Sequence, residues 1–341
     1  MDDRFDPNRL RLGDVLLYRA DSWISWAIRT FDNSEVSHAA LYLGNDRIAE
    51  ALIKVGLTTQ DRSTSFNGCN WIEVQRINDT ALDMAPVARV AEKYLAAGNR
   101  YAYEQIVLLG VICLTRKLDF DNPLVRSIAH RAMVAADAVI QSLRQEGKQP
   151  MICSEFVFRC YDEALPERDD PYTLEIISQA ANRSRRRFSG LRQRLGMAAI
   201  AGAEPLPTVH PESLLPRLES RLASLRPTAP ASSALATEGR QSELEQFINL
   251  YAAQREGRTL AAAAAQPAPA VGMEELEATA AQFARNLAEV LPEADIDGRP
   301  VARVLRGASP AARVQVVIAD FVTPGDLDRS PSLTTLGKIY P

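Results

Sequence analysis

Three side chains that could perform acid–base and nucleophilic chemistry lie far apart in this 341-residue sequence: His38, Glu50 and Cys153. His38 lies near the start of an apolar stretch, "VSHAALYLG", Glu50 interrupts a second one, "RIAEALI", and Cys153 is the first residue of "CSEFVFRCYDEAL". A thiol beside an imidazole becomes a thiolate nucleophile, and a carboxylate that accepts the imidazole N–H fixes its tautomer. These residue types predict a nucleophilic thiol site, provided that the fold brings them together.

The first two residues are predicted to lie on neighbouring β-strands. If "VSHAALYLG" and "RIAEALI" pair through the Gly-Asn-Asp turn at residues 44–46, Glu50 lies near the imidazole, whose N–H can donate the hydrogen bond that a buried carboxylate needs. Each residue also has a structural interpretation: a lone strand histidine is more often structural, and Glu50 on an edge strand would face solvent. The other two histidines are weaker candidates for a catalytic role, since His130 falls within a helical pattern and His210 in a proline-flanked loop.

Cys153 is predicted to lie in the first turn of an amphipathic helix. There the helix dipole and unpaired backbone N–H groups favour thiolate over thiol, and the same N–H groups can stabilise an oxyanion. The other three cysteines are predicted to be structural: Cys160 lies in the apolar stripe of this helix, Cys113 in an apolar segment and Cys69 in a loop.

The first half of the chain mixes strand and helix patterns. Strand-like stretches at residues 13–20, 36–44, 47–53 and 71–77 suggest a small antiparallel sheet. Helical spacing follows residue 20 and recurs further along the chain. The predicted fold class is therefore α+β, a small antiparallel sheet packed against helices, with helices at residues 23–31, 85–97, 101–114, 129–143 and 153–165.

Composition changes near residue 180, which predicts a boundary. Residues 181–314 hold an arginine-rich run, two Pro/Ala-rich linkers and helical stretches at 242–255 and 273–291, typical of a helical, partly mobile insertion. Residues 315–341 regain β-like character and the turns "TPGDL" and "SPSL". The expected organisation is a domain at 1–180, the insertion at 181–314 and a closing segment at 315–341.

Charge and composition limit the classes of partner that the sequence predicts. The net charge of −4 gives no basic field for nucleic acid or an anionic membrane. The arginine run could bind phosphates, but a solvated helix face or a protein-docking segment is the favoured interpretation; it comprises Arg183, Arg185, Arg186, Arg187, Arg192 and Arg194. The longest apolar run, residues 106–114, is about half the length that spans a bilayer. With no signal-peptide pattern at the start, a cytoplasmic setting is expected.

Five motifs together resemble the circularly permuted, NlpC-type papain-like cysteine hydrolases of the YiiX-like branch: "LRLGDVLLYR", "SHAALYLGNDRIAEAL", "YAYEQI", "MICSEFVFRCYDEAL" and "FVTPGDLDRSPSL". In that family the sheet with its histidine precedes the nucleophile helix, the order found here. The resemblance covers roughly residues 10–180 and 315–341. It implies that Cys153 is the nucleophile, His38 the base and Glu50 the orienting residue.

Three further residues are candidates for lining the site: Tyr18, Ser37 and Ser154. Tyr18 could reach the site from its strand, although a sheet-packing role is the favoured interpretation. Ser37 lies beside His38, and Ser154 matches the position after the family cysteine, without an assigned chemical role.

The resemblance implies hydrolysis of an amide bond through a thioester, without a metal or other cofactor. The substrate would be a peptide, another amide or an acyl lipid. Two alternatives stay open: an acyltransferase or lipid hydrolase with the same triad, and a non-catalytic binding module whose residues 181–314 recruit a protein partner. Residues 106–114 could line an acyl groove, but core packing is the favoured interpretation.

Overall fold

The computed structural model of the protein describes residues 3–52, 55–97, 100–102, 105–145, 149–165, 171–176, 213–218, 221–222, 234–255, 271–290 and 321–341. Within these ranges the chain combines helices with a six-stranded antiparallel sheet, which confirms the predicted α+β class. The arginine-rich run, His210 and the β-like residues 314–318 lie outside the described residues.

The strands of the described ranges are β1 (Val15–Arg19), β2 (His38–Tyr42), β3 (Arg47–Leu52), β4 (Gly56–Asp61), β5 (Trp71–Ile77), β6 (Arg100–Ala102), β7 (Gln149–Met151) and β8 (Leu333–Ile339). Six of them form the sheet in the order β4-β3-β2-β1-β5-β8, while β6 and β7 form a separate parallel pair. The sequence did not predict β4 and β8. Both are edge strands rich in polar residues, so neither shows the apolar run that marked the inner strands.

The β2–β3 hairpin has the predicted turn. Gly44, Asn45 and Asp46 all adopt positive φ values (80°, 50° and 58°), which reverses the chain over three residues. The register that results sets Glu50 directly opposite Ala40. Because alternate residues of a strand share a face, Glu50 becomes the diagonal neighbour of His38 on β2.

The helices of the described ranges are α1 (Trp23–Asp32), α2 (Arg62–Phe66), α3 (Ala85–Ala97), α4 (Gln105–Thr115), α5 (Pro123–Gln145), α6 (Cys153–Asp162), α7 (Ala234–Arg255), α8 (Met273–Val290) and α9 (Pro324–Asp328). The prediction of one helix over residues 101–114 was wrong at its start. Residues 100–102 pair with β7, and α4 begins only at Gln105, because strand pairing overrides the local helical pattern there.

The two faces of the sheet are covered differently. On one face α6 and α3 pack against the inner strands, and Phe156 of α6 and Tyr94 of α3 meet edge to face with ring centroids 6.3 Å apart. On the other face the sheet is covered by Phe66 of α2 and by Phe5 near the N-terminus. The α6 helix is therefore held firmly against the strands that carry His38 and Glu50.

A second core forms around α4, whose residues 106–114 are all buried. Gly110 of α4 lies so close to α5 and α8 that an added Cβ would come within 2.8 Å of the Ala136 Cβ and 3.1 Å of the Phe283 ring. The apolar segment thus has the core role that the sequence favoured over an acyl groove. The helices α7 and α8, which bear out the helical character predicted at 242–255 and 273–291, pack on α5 in this same core.

The C-terminal segment is anchored by buried charges. Arg116, at the end of α4, bonds Asp32 of α1 (2.9 Å) and Asp326 of α9 (2.6 Å), and all three side chains are at most 5% exposed. Asp32 also accepts the Gly325 N–H at 3.1 Å. This network joins the last residues of the chain to two helices of the second core. None of the helices within the described ranges has both the length and the apolar character needed to cross a membrane.

Candidate active site

Cys153 is the first residue of α6, as predicted, and its side chain is buried at 6% exposure. Strand β7 ends at Met151, and Ile152 keeps an extended backbone (φ −87°, ψ 150°) before the helix begins. In α6 the Phe156 N–H already bonds the Ile152 carbonyl, at 2.9 Å. The N–H groups of residues 153–155 precede that bond and point toward the N-terminal end of the helix, where the sulfur lies.

Three donors surround the Cys153 sulfur: the His38 ring and the backbone N–H groups of Ala39 and Ser154. The β2–β3 pairing runs from Tyr42 only as far as Ala40, so the Ala39 N–H lies just beyond the ladder. It is therefore available to the sulfur from the sheet side, while the Ser154 N–H donates from the helix side. Both bonds stabilise a negative charge on sulfur.

His38 and Glu50 form a direct hydrogen bond, with Nε2 and Oε2 2.8 Å apart. Glu50 is only 3% exposed, and its second oxygen, Oε1, has no hydrogen-bond partner among the described residues. Since Nε2 bonds the carboxylate, Nδ1 is the ring nitrogen left for the Cys153 sulfur. The three residues singled out in the sequence thus meet in space as sulfur, imidazole and carboxylate.

The pKa shifts of the pair follow from this geometry. Burial alone would lower the pKa of His38, but the Cys153 charge and hydrogen bond, together with Glu50, raise it from 6.5 to about 10. Burial alone would raise the pKa of the Cys153 thiol, but the His38 charge and the three hydrogen bonds lower it below its ordinary value. At neutral pH both shifts favour a thiolate beside an imidazolium, which is the reactive form of a cysteine nucleophile.

Tyr18 lies against the imidazole. It pairs with His38 across β1 and β2, and the two rings meet edge to face with centroids 5.2 Å apart. Its hydroxyl bonds the Ser65 hydroxyl at 2.7 Å, and burial, with the nearby Glu50 charge, raises the pKa of Tyr18 well above 10. Tyr18 therefore packs in the sheet, as favoured, and also forms one wall beside the His38 ring.

The side chains of Ser37 and Ser154 have partners away from the sulfur. The Ser37 hydroxyl donates to the Tyr18 carbonyl at 3.5 Å, and the Ser154 hydroxyl donates to the Val322 carbonyl at 2.6 Å. The Ser154 bond ties the start of α6 to the C-terminal segment, whereas its backbone N–H reaches the sulfur. The sequence analysis proposed both side chains for the site. It did not predict the backbone N–H of Ala39 as a donor, because the type of a residue gives no indication that its backbone N–H is available.

The environments of the other three cysteines raise their thiol pKa values instead of lowering them. Burial raises the pKa of Cys113 and Cys160, and burial with the Glu50 charge raises that of Cys69 to about 11. All four cysteines are free. His130 is half-buried on α5, and its Nε2 lies 3.7 Å from Glu275 of α8. Within the described residues, no three His, Cys, Asp or Glu side chains cluster closely enough to hold a metal ion.

The chain is similar to one curated protein, the probable lipoprotein peptidase YaeF of Escherichia coli (strain K12). The two are 28% identical over 167 residues, which is 48% of this chain and 58% of that protein. The chain thus spans less than two thirds of the relative's length. No protein-family profile matches the chain, and no solved structure matches it.

Proposed function

We propose that this protein is a cysteine-dependent hydrolase that cleaves an amide bond (peptide, isopeptide or N-acyl) with a Cys153–His38–Glu50 triad. The observation that carries the proposal is the chain of contacts from sulfur to imidazole to buried carboxylate, with a lowered thiol pKa at one end. A structural cysteine does not need this arrangement, since the other buried thiols of the described residues have raised pKa values.

A peptidase role is also supported by the similarity to a protein that bears that name. We further propose a permuted papain-like catalytic domain made of residues 1–180 and 315–341, with 181–314 inserted between them. The pairing of β8 with β5 and the bond from Ser154 to Val322 support this division, because both join the C-terminal segment to the first half of the chain.

In the proposed reaction the Cys153 thiolate attacks the carbonyl carbon, and the carbonyl electron pair moves onto oxygen. The Cys153 N–H, at the helix N-terminus, is one donor for that oxyanion. When the double bond reforms, the C–N bond breaks and the leaving nitrogen takes the proton of the His38 imidazolium. His38, now neutral, takes a proton from a water molecule, and the resulting hydroxide attacks the thioester carbonyl. The C–S bond breaks, which releases the acid and restores the Cys153 thiolate beside the His38 imidazolium. Glu50 holds the imidazole and stabilises its charge throughout.

Alkylation kinetics test the activated thiol. Between pH 7 and 9, the rate of iodoacetamide labelling of Cys153, followed by peptide mass spectrometry, should change less than about threefold, because in the proposed ion pair the His38 imidazolium, with a pKa of about 10, stays charged beside the thiolate over this range. An ordinary thiol with a pKa above this range would gain about tenfold per pH unit. The partly exposed Cys69 is the internal control, and His38→Ala should abolish the plateau at Cys153.

Two measurements separate the amide hydrolase from the binding module and from the acyltransferase or lipid hydrolase. Labelling of Cys153 no faster than that of Cys69 would support a non-catalytic binding module and contradict the proposed hydrolase. If the thiol is activated, the acyl-enzyme trapped with candidate substrates identifies the bond by its mass. A peptidyl adduct supports the amide hydrolase, and a fatty-acyl adduct supports a lipid hydrolase or acyltransferase.

A further inference from the structure

Four oxygen atoms surround the side-chain amide of Gln75 where the C-terminal segment meets β5. Gln75 is 1% exposed, and Glu73 lies two residues before it on the same face of the strand. The Gln75 Nε2 lies 2.9 Å from Glu73 Oε1 and 3.4 Å from Thr335 Oγ1 of β8. It also lies 3.2 Å from the carbonyl oxygen and 3.4 Å from Oδ1 of Asp328, the last residue of α9. These four oxygens and the Gln75 amide form what we call the oxygen cluster.

The Gln75 amide does not satisfy the oxygen cluster. Its nitrogen has two hydrogens to donate to four oxygens, and the two contacts at 3.4 Å are longer than an ordinary hydrogen bond. The oxygen of the same amide, Oε1, is buried and has no hydrogen-bond partner among the described residues. Leaving a buried polar atom unpaired costs free energy. The cluster thus holds more acceptors than donors, and a bound cation would satisfy them.

The two carboxylates of the oxygen cluster lack a cationic partner. Among the described residues, no lysine, arginine or histidine forms an ion pair with Glu73 or Asp328. Arg329 is close enough to act on Asp328 but pairs with other aspartates. Lys338 lies opposite Glu73 on β8, but its Nζ lies over the Trp71 ring, 4.1 Å from the centroid. Burial and the Glu73 charge raise the pKa of Asp328 to about 6, as expected for two carboxylates that face each other.

We propose that the oxygen cluster is a Ca²⁺ site that joins the C-terminal segment to the sheet. The ligands are the carboxylates of Glu73 and Asp328, the Asp328 carbonyl, the Thr335 hydroxyl and the Gln75 amide oxygen. A half-turn about the last bond of the Gln75 side chain exchanges Oε1 with Nε2 and so turns an oxygen toward the ion. Only two of the ligands are acidic, and their two charges balance a divalent cation. The site is independent of the proposed hydrolase function.

The spacing of the oxygens favours calcium over magnesium. Adjacent ligands of a six-coordinate ion lie about 1.4 bond lengths apart, which is about 3.4 Å around Ca²⁺ and about 3.0 Å around Mg²⁺. Three of the four contacts of the amide nitrogen are 3.2–3.4 Å long, and Thr335 Oγ1 lies 3.3 Å from Glu73 Oε1. Mg²⁺ also keeps several waters, whereas Ca²⁺ accepts carbonyl and amide oxygens from the protein. Thr335 is exposed, so an ion can enter from solvent.

Thermal unfolding tests the site in the full chain. Protein treated with EDTA and then freed of it is heated with about 10 mM CaCl₂, with MgCl₂ at the same concentration, or with NaCl of the same ionic strength. A site with two carboxylates is expected to have a dissociation constant of about 1 mM for Ca²⁺. Calcium should therefore raise the unfolding midpoint by about 2–4 °C over NaCl, and magnesium by less than about 1 °C. Equal shifts with the two ions would overturn the calcium assignment.

Matched variants locate the ion. Glu73→Gln and Asp328→Asn each remove one ligand charge and keep the shape of the side chain, so each should abolish the calcium shift. Glu92→Gln makes the same change at a half-exposed carboxylate on α3 and should retain the shift. A cooperative unfolding transition in EDTA shows that each variant is folded. A calcium shift of native size in both ligand variants would overturn the site, because the ion would then act at other carboxylates.

Terbium luminescence locates the ion without changing a ligand. Tb³⁺ replaces Ca²⁺ at oxygen sites and luminesces when an excited indole lies close to it. Trp71 precedes Glu73 by two residues, about 7 Å along β5 and on the same face. Excitation of tryptophan should therefore produce terbium emission that CaCl₂ displaces and that loses most of its intensity in Trp71→Phe. Undiminished emission in Trp71→Phe would place the ion elsewhere and overturn the site. None of these measurements uses Cys153, so their outcome does not depend on the hydrolase.

Discussion

Replacing Glu50 by glutamine removes the negative charge behind His38 while keeping the shape of the side chain. The carboxylate is 3% exposed and accepts from Nε2 at 2.8 Å. A charge-assisted hydrogen bond of this kind contributes about 1.5–3 kcal/mol, and one pKa unit corresponds to about 1.4 kcal/mol. Since an amide oxygen still accepts the N–H, the loss is the ionic part, so the pKa of His38 should fall from about 10 by about 1–2 units.

Nuclear magnetic resonance can measure this shift directly, because the chain has three histidines. Protein labelled with 15N at histidine is titrated from pH 6 to 11, and the resonances that disappear in His38→Ala are assigned to that ring. The matched control is Glu92→Gln, an equal charge change at a half-exposed carboxylate on α3 that pairs with Arg47. It should leave the His38 midpoint where it is in the native protein.

The consequence for activity has a definite sign. His38 must be protonated to release the leaving group, so a lower pKa moves the alkaline limit of hydrolysis to lower pH in Glu50→Gln. Coinciding His38 titrations in Glu50→Gln and the native protein would refute the reasoning, because the carboxylate would then contribute nothing to the charged imidazole.

Two further predictions concern the packing that holds the site. Arg116→Gln leaves the buried Asp32 and Asp326 with only the more exposed Arg329, at 3.8 and 3.3 Å, as their shared cation. The free energy of unfolding in urea should therefore fall by about 3 kcal/mol, the low end of the range for a broken buried pair, while Arg89→Gln on an exposed face of α3 should change it little. Gly110→Ala should lower the same quantity by about 1–3 kcal/mol despite the better helix propensity of alanine, because the new methyl group overpacks α4 against α5 and α8. An unchanged or increased stability of Gly110→Ala would show that the helices can move apart at no cost.

The inner part of the sheet could be predicted because its signals are local. The turn at residues 44–46 sets the β2–β3 register, and the register sets Glu50 beside His38. Edge strand β8 could not be predicted in the same way, since it pairs with β5 across more than 250 residues of chain and its polar face gives no apolar run. Strand β6 was not predicted for a related reason: its partner, β7, lies far along the sequence.

In the candidate site, too, the features set by local sequence could be predicted and those set by the fold could not. Residue type and a helix start were enough to single out Cys153, because both are written in one short stretch of sequence. The Ala39 N–H was missed, since every residue except proline carries such a group and its availability depends on where the β2–β3 ladder ends.

The thiolate–imidazolium pair places two charges in a buried position, which burial penalises at both groups. The groups that offset this penalty come from the separate elements α6, β2 and β3, so the pair persists only while the helix and the hairpin keep their relative position. Two bonds from α6 fix that position: Ser154 to the Val322 carbonyl at 2.6 Å, and Tyr161 to the Gly13 carbonyl at 2.5 Å. The first depends on the C-terminal segment, which Arg116 anchors through Asp326. The reactivity of the thiol is therefore coupled to contacts made by the last residues of the chain, although none of them touches the sulfur among the contacts described.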